Sequence, residues 1–283
     1  MGNMGPSAVV EALHASPLVG TLLGSVDTIE DDARWEIGIA FTPEATAVTG
    51  DILDNVCGDA VRTDPPALTI VEYQPWEVSA SVKCDAPSFT EGELNERGHR
   101  QLAKVLTRAV EMELWRGEKS QANSWPNNWL ANSSSYTDLS AGGARPLAYA
   151  LADLQYGLAR AFNDAGVIHA SARLVSLWHS ARMIELADDG RFIDIFGNTI
   201  LCGPGYDGSD DTGAVDATLT TEWAYATGPI GLRIGEVSII TEPVATVDHT
   251  TNQIAVHAEC FAAAYWDNQA HLAIQVDLCT TAC

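Results

Sequence analysis

The sequence predicts an α+β fold, on three observations. An unbroken helical pattern over Thr90–Gly117 is the longest in the 283-residue chain. Two further helical patterns follow it with no strand pattern between them, and strand-like alternation gathers before the long helix and in the last third. The order strands, helix, helices, strands contains no βαβ unit and no internal repeat.

Residues 1–33 have one weak amphipathic turn around Val9–Leu13, then Gly20, Gly24 and the acidic Glu30-Asp31-Asp32, which is the composition of an arm. From there Trp35, Ile37 and Ile39 alternate with Glu36, Gly38 and Ala40, a period-two strand signature. Leu68–Tyr73 and Glu77–Lys83 are two more strand patterns, the second with Val78, Ala80 and Val82 on one side. Pro75 between them marks a bend or an edge, since it has no amide to give to a ladder. Residues 42–66 form a long, weakly apolar excursion bounded by turn formers. A connection of that length is unusual inside a compact domain unless it has a task of its own. A projecting arm lying on a neighbouring subunit and an active-site lid both account for it.

In the long helix, Thr90 and Glu93 have the form of a capping box and Gly117 supplies the stop. Leu94, Gly98, Leu102, Val105, Ala109 and Met112 form one apolar stripe over a length of roughly 40 Å. Arg97, Arg100, Lys104 and Arg108 lie opposite, with Glu93 and Glu96 one turn ahead of the first two, as on a solvated face laced by ion pairs. The helix is a spine for the other elements. The Ser/Gly/Asn-rich run through residues 132–143 reads as a domain junction. Beyond it, Pro146 opens a helix with Leu147, Leu151, Leu154, Leu158 and Phe162 on one face, ending at Gly166. Ala170–Met183 is a third, with Leu174, Trp178 and Ala181 facing inward. Arg191–Cys202 reads as strands broken at Gly197-Asn198, residues 203–216 as a loop, and Glu222–Thr227, Ile230–Ile240 and Gln253–Val276 as β-rich runs.

A net charge of −23, from 38 acidic and 15 basic residues, argues against a nucleic-acid reader, which needs a basic footprint. No run reaches the eighteen or so apolar residues of a membrane span. The N-terminus has no basic start of a secretion signal, and Pro6 stands where a lipidation motif wants Ser or Thr, so the chain is expected to stay where it is made. Six scattered cysteines do not make a disulfide framework, and no His or Cys pair matches the spacing of Cys279 and Cys283 for zinc.

Catalytic signatures are sparse. There is no G-x-S-x-G, and Ser176 and Ser180 beside His179 are only helix neighbours. The seven histidines make no metal pattern, His257 falls at a surface position of strand alternation, and the glycines of residues 203–208 lack the spacing and lysine of a P-loop. Asp207, Ser209 and Asp211 alternate as in a calcium loop. Glycine falls one position late and Thr218 stands where the bidentate Glu belongs, so a solvated acidic turn competes with a weak cation site. No cofactor is expected.

The ordered phrases Trp35-Glu36-x-Gly38, Glu72-Tyr73-x-Pro75-Trp76 leading to Lys83-Cys84, Glu111-x-Glu113-Leu114-Trp115-x-Gly117, Gly197-Asn198-Thr199 with Gly203-x-Gly205-Tyr206, and Asn252–Ile274 resemble the HK-97-type major capsid proteins of tailed phages, most closely those infecting actinobacteria. The resemblance implies an N-terminal arm (1–33), an extended hairpin loop (34–89), a spine helix opening a peripheral domain (90–143), an axial domain (144–234) and terminal strands of the peripheral domain (235–283). It implies a non-enzymatic, self-assembling protein whose pentamers and hexamers form an icosahedral virion head around double-stranded DNA, assembled in the host cytoplasm. Partners would be further copies of itself, a scaffold protein, a portal and decoration proteins, with no membrane and no sequence-specific DNA contact. Trp35, Tyr73, Trp76, Asp51 and Arg62 are the expected assembly residues. The arm is too short to hold a cleavable internal scaffold, which points to a separate scaffold or none. Lysine is absent from residues 42–66, which removes the usual partner for covalent cross-linking. An encapsulin-like compartment shell of the same fold, and an enzyme with a 42–66 lid, are the alternatives.

Overall fold

A computed structural model of the chain describes residues 19–27, 33–41, 70–85, 90–140, 142–162, 164–216, 220–241 and 253–279. The helices are α1 (Leu22–Ser25), α2 (Glu91–Arg116), α3 (Glu118–Ala122), α4 (Leu147–Phe162) and α5 (Ala172–Ser180). The strands are β1 (Ile39–Phe41), β2 (Val71–Tyr73), β3 (Trp76–Asp85), β4 (Thr137–Asp138), β5 (Arg145–Pro146), β6 (Val167–His169), β7 (Ile184–Leu186), β8 (Phe192–Asp194), β9 (Thr199–Leu201), β10 (Thr221–Thr227), β11 (Ile230–Ile234), β12 (Ser238–Thr241), β13 (Gln253–Trp266) and β14 (His271–Asp277).

The spine helix forms as its sequence dictates. Thr90 Oγ1 accepts from the Glu93 amide, and Glu93 Oε2 accepts in return from the Thr90 amide at 2.8 Å. Gly117 ends the helix at φ 64°, and its amide donates to the Glu113 carbonyl at 2.8 Å. The apolar stripe runs differently from the expected one. Buried positions follow Leu94, Gly98, Leu102, Val110 and Leu114, with Leu106 half-buried, while Val105 is 37% exposed. Steps of four advance about 40° around a helix, so this line winds, because the helix changes partners along its length. Its first half lies on β12 and β13, where a Cβ at Gly98 would sit 3.2 Å from Ile239 and Val256. Its last turns are enclosed more fully, with Val110, Glu111, Leu114 and Trp115 all buried.

The described residues form three sheets. A four-stranded antiparallel sheet has β13 at its centre, with β3 along one edge and β11 and β12 in succession along the other. The expected single run Ile230–Ile240 is broken from Gly235, whose amide donates to Phe261 O: Ile234 pairs with Ala262 but Ser238 with Glu259, so this side has one residue more than β13 opposite it, as in a bulge. A two-stranded sheet pairs Ile39 with Tyr73 and Phe41 with Val71. The expected strand from Trp35 is shorter than its alternation suggests: Ala33–Ile37 is a 3₁₀ turn that buries Trp35 and leaves Ile37 83% exposed, and only Ile39–Phe41 is extended. Pro75 separates β2 from β3, where the chain passes from the small sheet to the larger one.

The third sheet, of eight strands, runs β4-β14-β10-β6-β9-β8-β7, with β5 also on β14. It is the shared wall of two cores. Ala224, Ala226, Ile274 and Val276 face the core built on α4 and α5, while Tyr225 and Ala273 on the same strands face the core built on α2 and β13. The terminal range 235–283 therefore does not stay in one sheet: β13 belongs to the spine-side sheet and β14 to this one. The Ser/Gly/Asn-rich junction is laced to β14, with the Leu139 amide donating to Ala273 O and Gln275 to Ser140 Oγ, both at 2.8 Å. The face of α4 is as expected through Leu151, Leu154 and Leu158. α5 is shorter than expected, capped by Ser171, and Ala181 lies just past its end and is exposed. β6 and β7 are too short for a period to be legible.

Candidate functional site

The three aromatic residues expected to serve assembly, Trp76 among them as a seam anchor, are buried within their own chain. Tyr73 is fully buried; its hydroxyl donates to Trp266 O at 2.6 Å and its ring meets that indole edge-on at 5.1 Å. Trp76 is 5% exposed and its Nε1 donates to Ser120 Oγ. Trp35 is 9% exposed. Each is closed off by its own chain, so any part it has in assembly is exerted from within. Asp51 and Arg62, like the whole 42–66 excursion, lie outside the described residues. What the structure does define is the foot of that excursion, β1 paired with β2. Asn128, fully buried, braces the corner beyond: its Oδ1 accepts from the Gln74 amide at 3.1 Å and its Nδ2 donates to Gln74 O at 2.6 Å. Ile37 and Ile70, 83% and 62% exposed, stand in water beside this foot.

The loop suspected of holding a cation is closed by its own protein partners. Asp207 is ion-paired with Arg116 and accepts from the Ser209 amide. Ser209 is buried, and its Oγ and carbonyl accept from Trp115 Nε1 at 3.1 and 3.2 Å. Asp211 is exposed, while the neighbouring Asp210 caps the amides of Thr212 and Ala214. The three oxygens do not converge. Among the described residues no group of three or more His, Cys, Asp or Glu is placed to hold a metal. The hydroxyls around His179 are occupied likewise, Ser176 donating to Ala172 O and Ser180 to Leu177 O.

A buried polar centre that the sequence did not announce is built on Glu111. This carboxylate lies fully buried on the spine helix; Oε1 accepts from the Leu22 amide at 2.8 Å and Oε2 from the Gly205 amide at 3.0 Å. A Cβ at Gly203 would fall 1.8 Å from Oε1 and one at Gly205 2.4 Å from Glu111 Cβ, so the glycines of the 203–208 loop permit the backbone to approach a carboxylate of the same chain. The Cys202 amide donates to Gly20 O at 2.7 Å, so residues 19–26 of the arm are held by both the spine and this loop. Burial pushes Glu111 up to about 7 against the pull of its two amide donors, and burial, with Glu111 beside it, pushes the Cys202 thiol up to about 11. Nearby His169 is enclosed by Tyr206 and Thr227 at 3.3 and 3.2 Å, and burial, with His271 adding, holds it down to about 3. His271 donates from Nε2 to Leu130 O, and burial holds it at about 4. Every hydrogen bond named in this centre joins one part of the chain to another, so its chemistry is that of a clamp between arm, spine and loop.

No family model and no curated protein sequence matches the chain. Solved structures do. The capsid of the native GTA particle, computed with C5 symmetry, is 13% identical, with 97% of this chain and 96% of that one covered at a TM-score of 0.61. The holo-SrpI encapsulin complex from Synechococcus elongatus PCC 7942 is 10% identical over 97% and 95% of the two chains, at 0.57. The head of Helicobacter pylori bacteriophage KHP40 is 9% identical over 98% and 95%, at 0.53. Likeness of this extent spans nearly the whole of both chains, and the chain has the HK-97-type capsid fold.

Proposed function

We propose that this chain is the major capsid protein of a tailed phage, forming pentamers and hexamers of an icosahedral head around double-stranded DNA. The observation that carries the reading is the extent of the fold match, about the whole of this chain against the whole of particle-forming proteins. In this reading the protein is non-enzymatic and resides in the virion after assembly in the host cytoplasm, with a scaffold, a portal and decoration proteins as partners. Residues 1–33 are the arm, 34–89 the extended loop, 90–143 the spine and the start of the peripheral domain, and 144–234 the axial domain. Of 235–283, β13 returns to the peripheral domain and β14 completes the axial sheet. Trp35, Tyr73 and Trp76 support assembly from within, by fixing the foot of the loop that reaches a neighbour. The net charge of −23 suits a container that must not stick to its DNA.

A compartment shell loaded with protein is the second reading, favoured by the encapsulin match at a TM-score near that of the particle capsid. Electron microscopy of the purified full-length protein tests both. Closed particles are expected; a protein that stays monomeric under all conditions removes both readings. Particles isolated from the native source and treated with nuclease distinguish them: protected double-stranded DNA supports the head, and protein cargo without DNA supports the compartment.

A further inference from the structure

On the far side of the second core, several large apolar side chains stand in water together. Ile195 and Phe196, in the turn between β8 and β9, are 80% and 67% exposed, and Tyr149 and Tyr156, on the outer face of α4, are 58% and 64% exposed. Between the turn and the helix runs a groove of about 630 Å³, lined by Ala152, Tyr156, Ala159, Ala165 and Phe196. Tyr149, Ala152, Tyr156 and Ala159 recur at steps of three, four and three, so α4 has an apolar line on both faces: one in the core, one unpartnered.

The turn is built the wrong way round for a solvent loop. Its polar side chains are used inside, where Asp194, 3% exposed, accepts from the amides of Phe196 and Asn198 at 2.9 Å and from Asn198 Nδ2 at 2.7 Å. Gln155 of α4 donates to the same carboxylate at 2.9 Å, and Asn198 Oδ1 accepts from the Gly166 amide. This network locks the turn to the helix and holds its two apolar residues outward. The tyrosines are also held, with the Arg145 and Arg160 guanidiniums 6.0 and 5.6 Å from the ring centres of Tyr149 and Tyr156. A rigid apolar patch of this kind is a contact surface.

Its charge points to the occupant. The chain carries −23, so two copies repel over most of their surfaces. Around this patch Arg145 and Arg160 are matched by Asp153 and Asp164, with Arg145 Nε bonded to Asp153 at 2.9 Å. A like-charged copy approaches here with little net repulsion, and an apolar, aromatic centre with a balanced polar rim is the usual anatomy of a protein contact. Resting on the shell reading above, we infer that the outer face of α4 and the Ile195-Phe196 turn are covered by a neighbouring copy of this chain in the assembled particle.

The test uses the full-length protein. The parent is first examined for particles by sedimentation and electron microscopy; a parent that never assembles fails the shell reading itself, and the inference with it. With assembly established, Tyr156→Asp and Phe196→Asp each place a charge in the contact. Both are expected to keep the parent's melting temperature and to sediment as subunits of 30.2 kDa. Particles formed in the parent's yield would overturn the inference and leave the shell reading intact. Should either variant fold poorly, nitration of the parent decides. Tyr149 and Tyr156 should be modified at least tenfold more slowly in particles than in dissociated subunits, and equal rates would overturn it.

Discussion

Glu111 is where one residue connects the arm to the spine, and its protonation has a definite sign. Its pKa rises from the ordinary 4.5 of a Glu to about 7 in the folded state, so the folded protein holds this proton more tightly than the unfolded chain. The associated stability is complete below pH 4.5 and is lost as pH rises through 7, by roughly 3 kcal/mol. His169 and His271 act oppositely: held down at about 3 and about 4, they contribute stability above pH 6.5 that is lost as pH falls. Glu111→Gln isolates the first effect. An amide has one acceptor oxygen, so either Leu22 or Gly205 loses its partner, at a cost of about 1–3 kcal/mol. The histidine contribution cancels between parent and variant. The stability difference, from denaturant titration, should therefore move in the variant's favour by about 2–3 kcal/mol between pH 4.5 and 8. A difference that does not vary with pH would mean that Glu111 does not titrate in this range.

At the scale of elements, α2 and the β1–β2 foot have separate tasks. Leu102 is 1% exposed in the spine-side core, so Leu102→Asp places an unpaired charge there and should cost several kcal/mol. Insoluble protein, or a melting temperature lowered by ten degrees or more, is the expected outcome; a variant that melts like the parent would deny the stripe its core. The 42–66 excursion is a different case. β1 and β2 are already paired in register at its base, so a short Gly/Ser turn can close the hairpin after deletion. The shortened chain should keep the parent's circular dichroism and melt cooperatively while no longer forming particles; normal particles would make the excursion dispensable for assembly.

For the whole molecule, the shell reading makes charge and cross-linking the determinants of how particles behave. Copies carrying −23 repel across their seams, and salt screens that repulsion, with a Debye length of about 10 Å at 0.1 M. Particles should dissociate more readily at 10 mM than at 300 mM NaCl, as read by light scattering; no dependence on salt would show that the seams are locally neutral throughout. Lysine occurs only at Lys83, Lys104 and Lys119, none of them in the 42–66 excursion, so the excursion itself supplies no amine for an isopeptide bond with a neighbour. Boiled, reduced particles should run as one band near 30.2 kDa, and a ladder of oligomers would refute the noncovalent account.

What the sequence by itself determined is what local chemistry controls. The capping box at Thr90, the Gly117 stop, the inward leucines of α4, the turn at Gly197-Asn198 and the break at Pro75 are each settled by a few adjacent residues. So is the α+β class, which follows from the order of such patterns. The tertiary structure decided what depends on distant partners. Whether Trp76 is an anchor or a core residue rests on Ser120, 44 positions away. Asp207 is a bridge to Arg116 and not a ligand because α2 passes beside it. The glycines at 203 and 205 have their reason in Glu111, about 90 residues earlier, and no local pattern marks a carboxylate that two distant backbone amides will hold. Strands β10 and β14 carry small and large apolar residues on both faces because each face closes a different core, and a period of two cannot announce that. Burial, pairing and close approach are properties of the packed chain, and so the surface left over for a neighbouring copy became legible only once the rest had been enclosed.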